Sequence, residues 1–182
     1  MNDSIKIKTY FQGKSIDLIA FEKHHVDMVA KWINDERINI PNGARFPVSG
    51  YEQAIWYERI CKDKTKRKLI ISSKNKEYVG MVSLFNIDYK NRNSEIGVYI
   101  VPNYQRKGYA KEALNLLLTF AFCELGMHKI YASIYAFNSP AVKLFGMVGF
   151  RHESTNKEMI YSRGKFIDIH IYSIFKRDFI RE

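Results

Sequence analysis

The sequence is short of cysteine and of long apolar runs, and it has no acidic excess. Its two cysteines, Cys61 and Cys123, form no close-spaced motif, so neither a disulfide framework nor a zinc site is predicted. No apolar stretch approaches the ~18 residues that a membrane-spanning helix needs. The N-terminal residues lack the apolar segment of a secretory signal. We therefore expect a cytoplasmic protein with no metal cofactor and no membrane partner.

The charge and the length limit the class of protein further. The chain has 182 residues, enough for one domain with a substantial core, and we expect a single domain over residues 1–182. The net charge of +10 favours anionic partners, namely nucleotide phosphates, nucleic acid or an acidic protein surface. It disfavours a polycationic acceptor such as a polyamine, unless the site is locally acidic. Because the cations are dispersed and no nucleic-acid motif is present, a nucleic-acid-binding module is the less favoured alternative.

The spacing of apolar residues predicts a mixed α/β domain in the order ββ-αα-ββ-β-α-β-α-ββ. The predicted strands are 5–12, 15–21, 68–73, 78–87, 94–101, 129–137, 150–162 and 165–175. The predicted helices are 24–34, 50–62, 110–125 and 140–148. In the last helix we expect Ser139 at the N-cap, Pro140 at the first helical position and Gly149 beyond the end.

A basic loop, Gln105-Arg106-Lys107-Gly108-Tyr109-Ala110, joins a predicted strand to the longest predicted helix. The first turn of a helix presents backbone N–H groups without a partner in the helix, and the helix dipole adds partial positive charge there. Gly108 lets the backbone approach a ligand closely, and Arg106, Lys107 and Lys111 add formal charge. These features predict an anion site, most naturally for phosphate. The structural alternative is an ordinary strand-to-helix turn with solvated cations.

Four segments resemble those of the GNAT superfamily of N-acetyltransferases, in the family's order along the chain. The loop 105–110 is similar to the family's Gln/Arg-x-x-Gly-x-Gly/Ala pattern, which binds the pyrophosphate of acetyl-CoA. Residues 138–150 resemble its Asn-x-x-Ala-x-x-Leu-Tyr-x-x-x-Gly-Phe segment nearly place for place. Residues 93–100 and 164–168 resemble strands of the branch that includes the ribosomal-protein N-terminal (RimJ/RimL-like) acetyltransferases.

The resemblance implies an enzyme that moves an acetyl group from acetyl-CoA to a primary amine by direct attack in a ternary complex. The acceptor would be a protein N-terminus or a small amine, including a nucleotide-linked amino sugar, and a homodimer is one candidate assembly. The implied fold is a single mixed α/β domain. Its central sheet would be twisted and mostly antiparallel, splayed at the cofactor site and flanked by about four helices.

The resemblance also assigns the cofactor contacts. Backbone N–H groups near Ile100 and Val101 would bind the carbonyl oxygen of the acetyl group, where the pantetheine arm pairs like an extra strand. Asn138 would contact this arm near the thiol, and Phe145 would pack against the arm or the core. The pyrophosphate would contact the loop residues Gln105, Arg106, Lys107, Gly108, Tyr109 and Ala110.

Glu95 is the predicted general base. Alternation along its strand places Glu95, Gly97 and Tyr99 on one face and the intervening apolar residues on the other. The acceptor amine must be neutral to attack, and a carboxylate beside an apolar cleft could take its proton directly or through a water. The structural alternative is a solvent-facing or salt-bridged glutamate.

The general acid is left open, because Phe145 stands where many relatives have a tyrosine whose hydroxyl can protonate the thiolate. The general acid could be water or one of the tyrosines Tyr99, Tyr135 and Tyr172, or the reaction could proceed without a general acid. A second hypothesis is therefore a CoA-binding pseudoenzyme or sensor.

The first half of the chain is expected to supply the acceptor contacts. These would come from the loop 38–49 and from the second helix, through Trp56 and Tyr57. Three arginines in this region either recognise an anionic acceptor or are surface cations: Arg37, Arg45 and Arg59.

Overall fold

The computed structural model describes residues 10–43 and 46–180 and places them around one seven-stranded sheet. The strands are β1 (Ile16–Ala20), β2 (Arg67–Ser73), β3 (Tyr78–Asp88), β4 (Asn93–Ile100), β5 (Lys129–Tyr135), β6 (Arg151–Ser162) and β7 (Lys165–Phe175). The helices are α1 (Val26–Asn34), α2 (Glu36–Asn39), α3 (Gly50–Lys62), α4 (Tyr109–Cys123), α5 (Ser139–Val148) and α6 (Lys176–Phe179). The strand order is β1-β2-β3-β4-β5-β7-β6; β4 and β5 run parallel, and the other neighbouring pairs are antiparallel. The predicted mixed α/β, mostly antiparallel fold is confirmed.

The strands β4 and β5 pair over a short distance and then separate. Their parallel register covers residues 93–95 against residues 129–131. Beyond that point β4 stays paired with β3, whereas β5 stays paired with β7. The later halves of the two strands therefore border a gap in the middle of the sheet, which is the predicted splay.

Two apolar clusters, one on each face of the sheet, hold the helices in place. On one face, α4 buries Leu114 and Phe122 in a cluster that includes Ile96 of β4, and α5 packs into the same cluster. On the other face, Val29 of α1 belongs to a second cluster, against which Tyr99 of β4 and part of α3 pack. The alternation predicted for β4 therefore directs its side chains toward two different helix pairs, α4/α5 and α1/α3.

The predicted elements within the described residues agree with the structure to within two residues at each end. The exception is the first predicted strand, 5–12, which begins outside the described residues. In its described part, Gln12 forms an isolated β-bridge with Asp17. Two single-turn helices, α2 and α6, were not predicted, because four residues are too few to show helical periodicity. None of the described helices is both long enough and apolar enough to cross a membrane.

The N-cap of α5 is Asn138, one residue before the predicted Ser139. The Asn138 Oδ1 accepts a hydrogen bond from the Ala141 N–H (3.2 Å), so Ser139 and Pro140 are already the first two residues of the helix. The prediction was therefore wrong by one position. Asparagine and serine are equally good caps, so sequence preference alone does not separate the two registers.

The variant Asn138→Ala is expected to lower the free energy of unfolding by about 1 kcal/mol, because the first turn of α5 loses its cap. The matched control is Ser139→Ala, for which we expect a clearly smaller loss, because the capping bond comes from Asn138. Urea denaturation of both variants measures the difference. A greater loss for Ser139→Ala would contradict the observed register.

Candidate active site

A cavity of about 750 Å³ lies where β4 and β5 separate, and it reaches both faces of the sheet. On the α1/α3 face its wall includes Trp56 and Tyr99. On the α4/α5 face its wall includes Asn138, Ala141 and Phe145. A cavity of this size fits a small molecule, and its wall is built from residues of both faces of the sheet.

The backbone of β4 offers N–H groups to this gap, but not those that were predicted. The Val101 N–H donates to the Val79 carbonyl oxygen (2.9 Å), so it belongs to the β3–β4 ladder. Bonds alternate along an antiparallel pair. With Gly80 opposite Ile100, the N–H groups of Ile100 and Val98 therefore point away from β3 and into the gap. The Val101 N–H is therefore not available to the gap as predicted, whereas the N–H groups of Ile100 and Val98 face it.

The predicted phosphate loop is fastened to the end of β4 and leads directly into α4. The Gln105 Nε2 donates to the Ile100 carbonyl oxygen (3.0 Å), so this side chain positions the loop. Arg106 and Gly108 have φ angles of 62° and 82°, which turn the backbone sharply. The Glu112 N–H donates to the Gly108 carbonyl oxygen (3.1 Å), so the preceding N–H groups of the first turn lie outside the helical ladder. The result is an N–H-rich turn suited to anions.

Positive charge surrounds this loop. The Lys107 Nζ lies 5.4 Å from the ring centre of Tyr104. Lys14 and Lys111 line an open groove of about 380 Å³ that runs from Gly108 along the first turns of α4. The two lysines thus border one groove at the N-terminus of a helix, together with the carboxylate of Glu112.

The other predicted cofactor residues divide into backbone and side-chain contributors. Tyr109 and Ala110 pack their side chains against the core, so what they present to the loop is their backbone N–H. Asn138 and Phe145 line the cavity. The Asn138 Oδ1 is engaged by the cap of α5, which leaves its amide nitrogen to donate. Phe145 is 5% exposed and meets Phe150 edge to face at 5.0 Å, so it is both a core residue and a cavity wall.

Glu95 lies at the point where β4 leaves β5, and it lines the cavity. The Asn86 Nδ2 donates to its Oε2 (3.2 Å), and no described lysine or arginine lies within ion-pair distance of it. Tyr131 is its neighbour on β5. Burial, and then the nearby Glu95 charge, raise the pKa of the Tyr131 hydroxyl. Glu95 is therefore a half-buried carboxylate beside the gap, held by one amide.

Two of the three tyrosines considered as general acids line the cavity. These are Tyr99 and Tyr135, whereas Tyr172 is not among the described lining residues and packs against His152 (5.4 Å). Burial raises the pKa of the Tyr99 hydroxyl, which donates to the Met81 Sδ (3.8 Å). Tyr99 thus stays protonated at neutral pH, and the raised pKa makes its hydroxyl a weaker acid than that of an exposed tyrosine.

The acceptor contacts predicted for the first half of the chain only partly reach the cavity. Trp56 and several residues of the loop 38–49 line it. Tyr57 instead packs edge to face against Phe21 (5.1 Å). Arg37 is paired with Asp35. Arg45 lies outside the described residues. Arg59 is not among the residues that line the cavity.

Sequence reasoning missed several polar residues of the cavity wall, among them Lys68 and Gln53. Lys68 begins the predicted strand 68–73, but its side chain was not among the predicted acceptor contacts. Its position two residues before Ile70 was the available signal, because residues at i and i+2 of a strand share a face. Gln53 has no sequence signal, since its burial depends on how α3 packs on the sheet.

The profile of the acetyltransferase (GNAT) domain family matches residues 16–151 of the chain. A prophage-derived, uncharacterized N-acetyltransferase of Bacillus subtilis is 27% identical over 171 residues, which cover 94% of this chain and 96% of the relative. A putative ribosomal N-acetyltransferase of the same bacterium is 32% identical over 99 residues, or 54% of each chain.

Solved structures agree with the family match. The spermidine N-acetyltransferase from Vibrio cholerae in complex with CoA and spermine has a TM-score of 0.87 at 26% identity, covering 92% of this chain and 99% of that one. A dodecameric structure of the same enzyme has a TM-score of 0.81 at 25% identity, covering 93% and 98%.

Proposed function

The chain belongs to the GNAT acetyltransferase family, and on that premise we propose that it transfers the acetyl group of acetyl-CoA directly to a primary amine in a ternary complex. The observation that carries the proposal is the cavity through the gap between β4 and β5. It joins the α4/α5 face, where the phosphate loop lies, to the α1/α3 face, where Glu95 and Trp56 lie. A donor and an acceptor that enter from opposite faces would meet at the gap, and their proximity would supply much of the rate.

The donor is held mainly by the backbone. The pyrophosphate binds the N-terminus of α4 at Gly108, with charge from Arg106, Lys107 and Lys111. The pantetheine arm then follows the free edge of β4 into the gap, where Asn138 and Phe145 form the opposite wall. This places the thioester beside Ile100 and Val98, whose N–H groups face it.

The chemistry follows from the groups around the thioester. Glu95 takes the proton of the ammonium so that the neutral amine attacks the carbonyl carbon. The N–H groups of Ile100 and Val98 stabilise the negative charge that develops on the carbonyl oxygen. The C–S bond breaks, and the thiolate takes a proton from Tyr99, Tyr135 or water, because Phe145 has none to give; the second proton of the nitrogen, lost as the amide forms, replaces the one that this acid gave up. Free CoA and the acetylated amine are the products.

The chemical class of the acceptor amine is also part of the proposal. A protein N-terminus and a small amine, including a nucleotide-linked amino sugar, remain the proposed classes. Support for the first is the similarity to a putative ribosomal N-acetyltransferase. Similarity to an enzyme named for spermidine makes a polyamine the comparison substrate in any test.

An acetyl-CoA consumption assay tests the function. We expect purified protein to release CoA thiol with at least one member of a panel of free-amino-terminal peptides, small amines and amino-sugar nucleotides. Calorimetry should detect binding of acetyl-CoA by itself. Failure to bind acetyl-CoA would contradict the proposal.

A CoA-binding pseudoenzyme is the second candidate, because Phe145 lines the cavity where a hydroxyl would serve as acid. It predicts acetyl-CoA binding in calorimetry with no thiol release on any amine. The same two measurements therefore separate the candidates.

The remaining parts of the proposal concern location and assembly. We place the protein in the cytoplasm, where acetyl-CoA is used, and we expect a homo-oligomer, with a homodimer as the simplest form. The exposed apolar side chains Met159, Tyr161 and Phe166 on the β6–β7 hairpin support self-association. Cell fractionation and light scattering test these two points.

A further inference from the structure

The strand β3 contains one extra residue where it runs beside the start of β4. Phe85 lies opposite Glu95, and Asp88 lies opposite Asn93, so three steps along β3 match two steps along β4. Such a β-bulge bends the strand and changes the direction in which its side chains point. The bulge therefore begins directly after the residue that is paired with the proposed general base.

The bulge brings two consecutive side chains to the same cavity. In a regular strand such neighbours point to opposite faces, but Phe85 and Asn86 both line the cavity. Asn86 has a φ of +49°, in the left-handed region that asparagine tolerates better than most residues. Beyond it the alternation is displaced by one place, because Leu84 and Ile87, three residues apart, both pack into the cluster on the α4/α5 face. The bulge thus directs the Asn86 amide to the side of Glu95.

Side-chain and loop contacts hold the backbone of the bulge in place. The Ser94 Oγ donates to the Phe85 carbonyl oxygen (2.7 Å), and the Ile87 N–H donates to the Thr65 carbonyl oxygen (2.9 Å). Ser94 is 0% exposed and Ile87 is 4% exposed. Buried backbone groups that are bonded in this way resist rearrangement. The position of Asn86 is therefore a fixed feature of the fold.

The Asn86 amide connects the last residue pair of the β4–β5 ladder. Its Nδ2 donates to the Glu95 Oε2 (3.2 Å). Burial, and then the Glu95 charge, raise the pKa of the Tyr131 hydroxyl, and a hydrogen bond with Asn86 opposes them. Glu95 and Tyr131 are the last residues that pair before the two strands separate. The Glu95 Oε1 accepts no hydrogen bond from the described residues, so one oxygen is held and the other is left for a proton.

Resting on the proposed function, we propose that Asn86 is the positioning residue for the general base. Its amide holds the Glu95 Oε2 at the point where the sheet splits, so that Oε1 faces the acceptor amine and takes its proton. Asn86 contacts neither substrate and acts through Glu95. The bulge is essential to this role, because a regular strand would direct residue 86 to the opposite face.

The other titratable groups near Glu95 stay the same in every variant of the test. Tyr131 of β5 is its neighbour in the ladder. The cavity wall to which Glu95 belongs also includes Lys66, Lys68, Tyr99 and Tyr135. A change in the pH–rate profile that appears only when residue 86 is changed is therefore an effect of residue 86.

The variant Asn86→Gly removes the amide and keeps a residue that readily adopts a φ of +49°. It is expected to lower kcat at neutral pH by about 3–10-fold, because Glu95 loses the hydrogen bond that orients it. KM for the amine and the dissociation constant of acetyl-CoA should change by less than about 2-fold, since Asn86 contacts neither substrate.

The variant Asn86→Asp keeps the shape of the side chain and places a second carboxylate beside Glu95. It is expected to move the acid limb of the pH–rate profile upward by about 0.5–1 pH unit. The sign follows from the like charge, which holds the proton on the base to a higher pH, whereas catalysis needs the base without it.

The matched control is Asn91→Asp. The Asn91 Nδ2 donates to the Asp88 Oδ2 (2.7 Å) in the turn after β3, and Asn91 is not among the described residues that line the cavity. The same chemical change is thus made beside a different carboxylate. Its kcat and its pH–rate profile should follow those of the wild type. Thermal melting verifies that all three variants are folded.

The double variant Glu95→Gln with Asn86→Gly shows whether Asn86 acts through the base. With no base to position, loss of the amide should lower kcat by less than about 2-fold relative to Glu95→Gln alone. A loss as large as that in the wild-type background overturns the inference. So does a wild-type kcat for Asn86→Gly, or an acid limb that Asn86→Asp does not move.

If no amine is acetylated, the proposed transfer fails, and NMR of the Glu95 side-chain carboxyl carbon tests the contact instead. Its titration is followed in the wild type and in Asn86→Asp. A midpoint that rises by about 0.5–1 pH unit in the variant supports the hold of residue 86 on Glu95 without catalysis. Equal midpoints in the two proteins overturn the positioning role as well.

Discussion

The variant Gly108→Val is expected to raise the dissociation constant of acetyl-CoA by about 100-fold or more while the protein stays folded. A Cβ at Gly108 would meet no heavy atom of the protein within 4 Å, so the protein itself leaves room for a side chain. That room lies at the N-terminus of α4, where the pyrophosphate would approach the free N–H groups. A branched side chain there would keep the phosphate away from two or more charge-assisted hydrogen bonds.

The chain provides a matched control for this variant. Gly108 has a φ of +82°, so valine there also strains the backbone. Gly164, in the β6–β7 turn, has a φ of +78° and equally nothing within 4 Å of an added Cβ. Both substitutions should lower the free energy of unfolding by about 1–2 kcal/mol. Calorimetry should then find weak acetyl-CoA binding for Gly108→Val alone, and equal affinities in the two variants would show that the phosphate binds elsewhere.

The variant Glu95→Gln is expected to lower kcat/KM at neutral pH by about 100–1,000-fold, the usual contribution of a positioned general base. Glutamine keeps the shape of the side chain and can still accept the hydrogen bond from Asn86, so the local structure should not change. The loss should shrink as the pH rises. At high pH the acceptor amine is increasingly neutral without help, so the base is needed less.

The measurement for Glu95→Gln is a pH–rate profile from neutral to strongly basic pH, with the wild type beside it. The control is Glu153→Gln, which removes a carboxylate that is paired with Lys129 (2.6 Å) and is not among the described cavity residues. Its profile should follow that of the wild type. If the Glu95→Gln profile also kept the shape and height of the wild-type curve, Glu95 would have no part in proton transfer.

Local patterns in the chain were sufficient for the elements and for the glycine-containing loop that leads into α4. Helical spacing, strand alternation and the glycine at position 108 depend on residues close in sequence, so they can be recognised one segment at a time. The same holds for the position of Glu95 at the start of the free part of β4. Where two good caps are adjacent, as with Asn138 and Ser139, local preference is no longer decisive, and the packing of α5 selects the register.

Local patterns do not show which backbone N–H groups of β4 face the gap and which bond to β3. Whether Val98 and Ile100 or Val101 offer their N–H groups to the gap depends on which of them bond to β3. A shift of one residue in that register would exchange the two sets. The register is fixed by side chains on both faces of three strands, so no segment taken alone contains it.

The sequence by itself determined the mixed α/β class, the order of the elements, the glycine-containing loop that leads into α4, and the place of the Glu95 carboxylate on β4. Each of these follows from short-range periodicity or from a few adjacent residues. The tertiary structure alone decided which backbone groups face the gap and that Lys68 lies in the cavity with Phe85 and Trp56. Those three residues come from separate elements, and sheet pairing together with the packing of α3 brings them into contact.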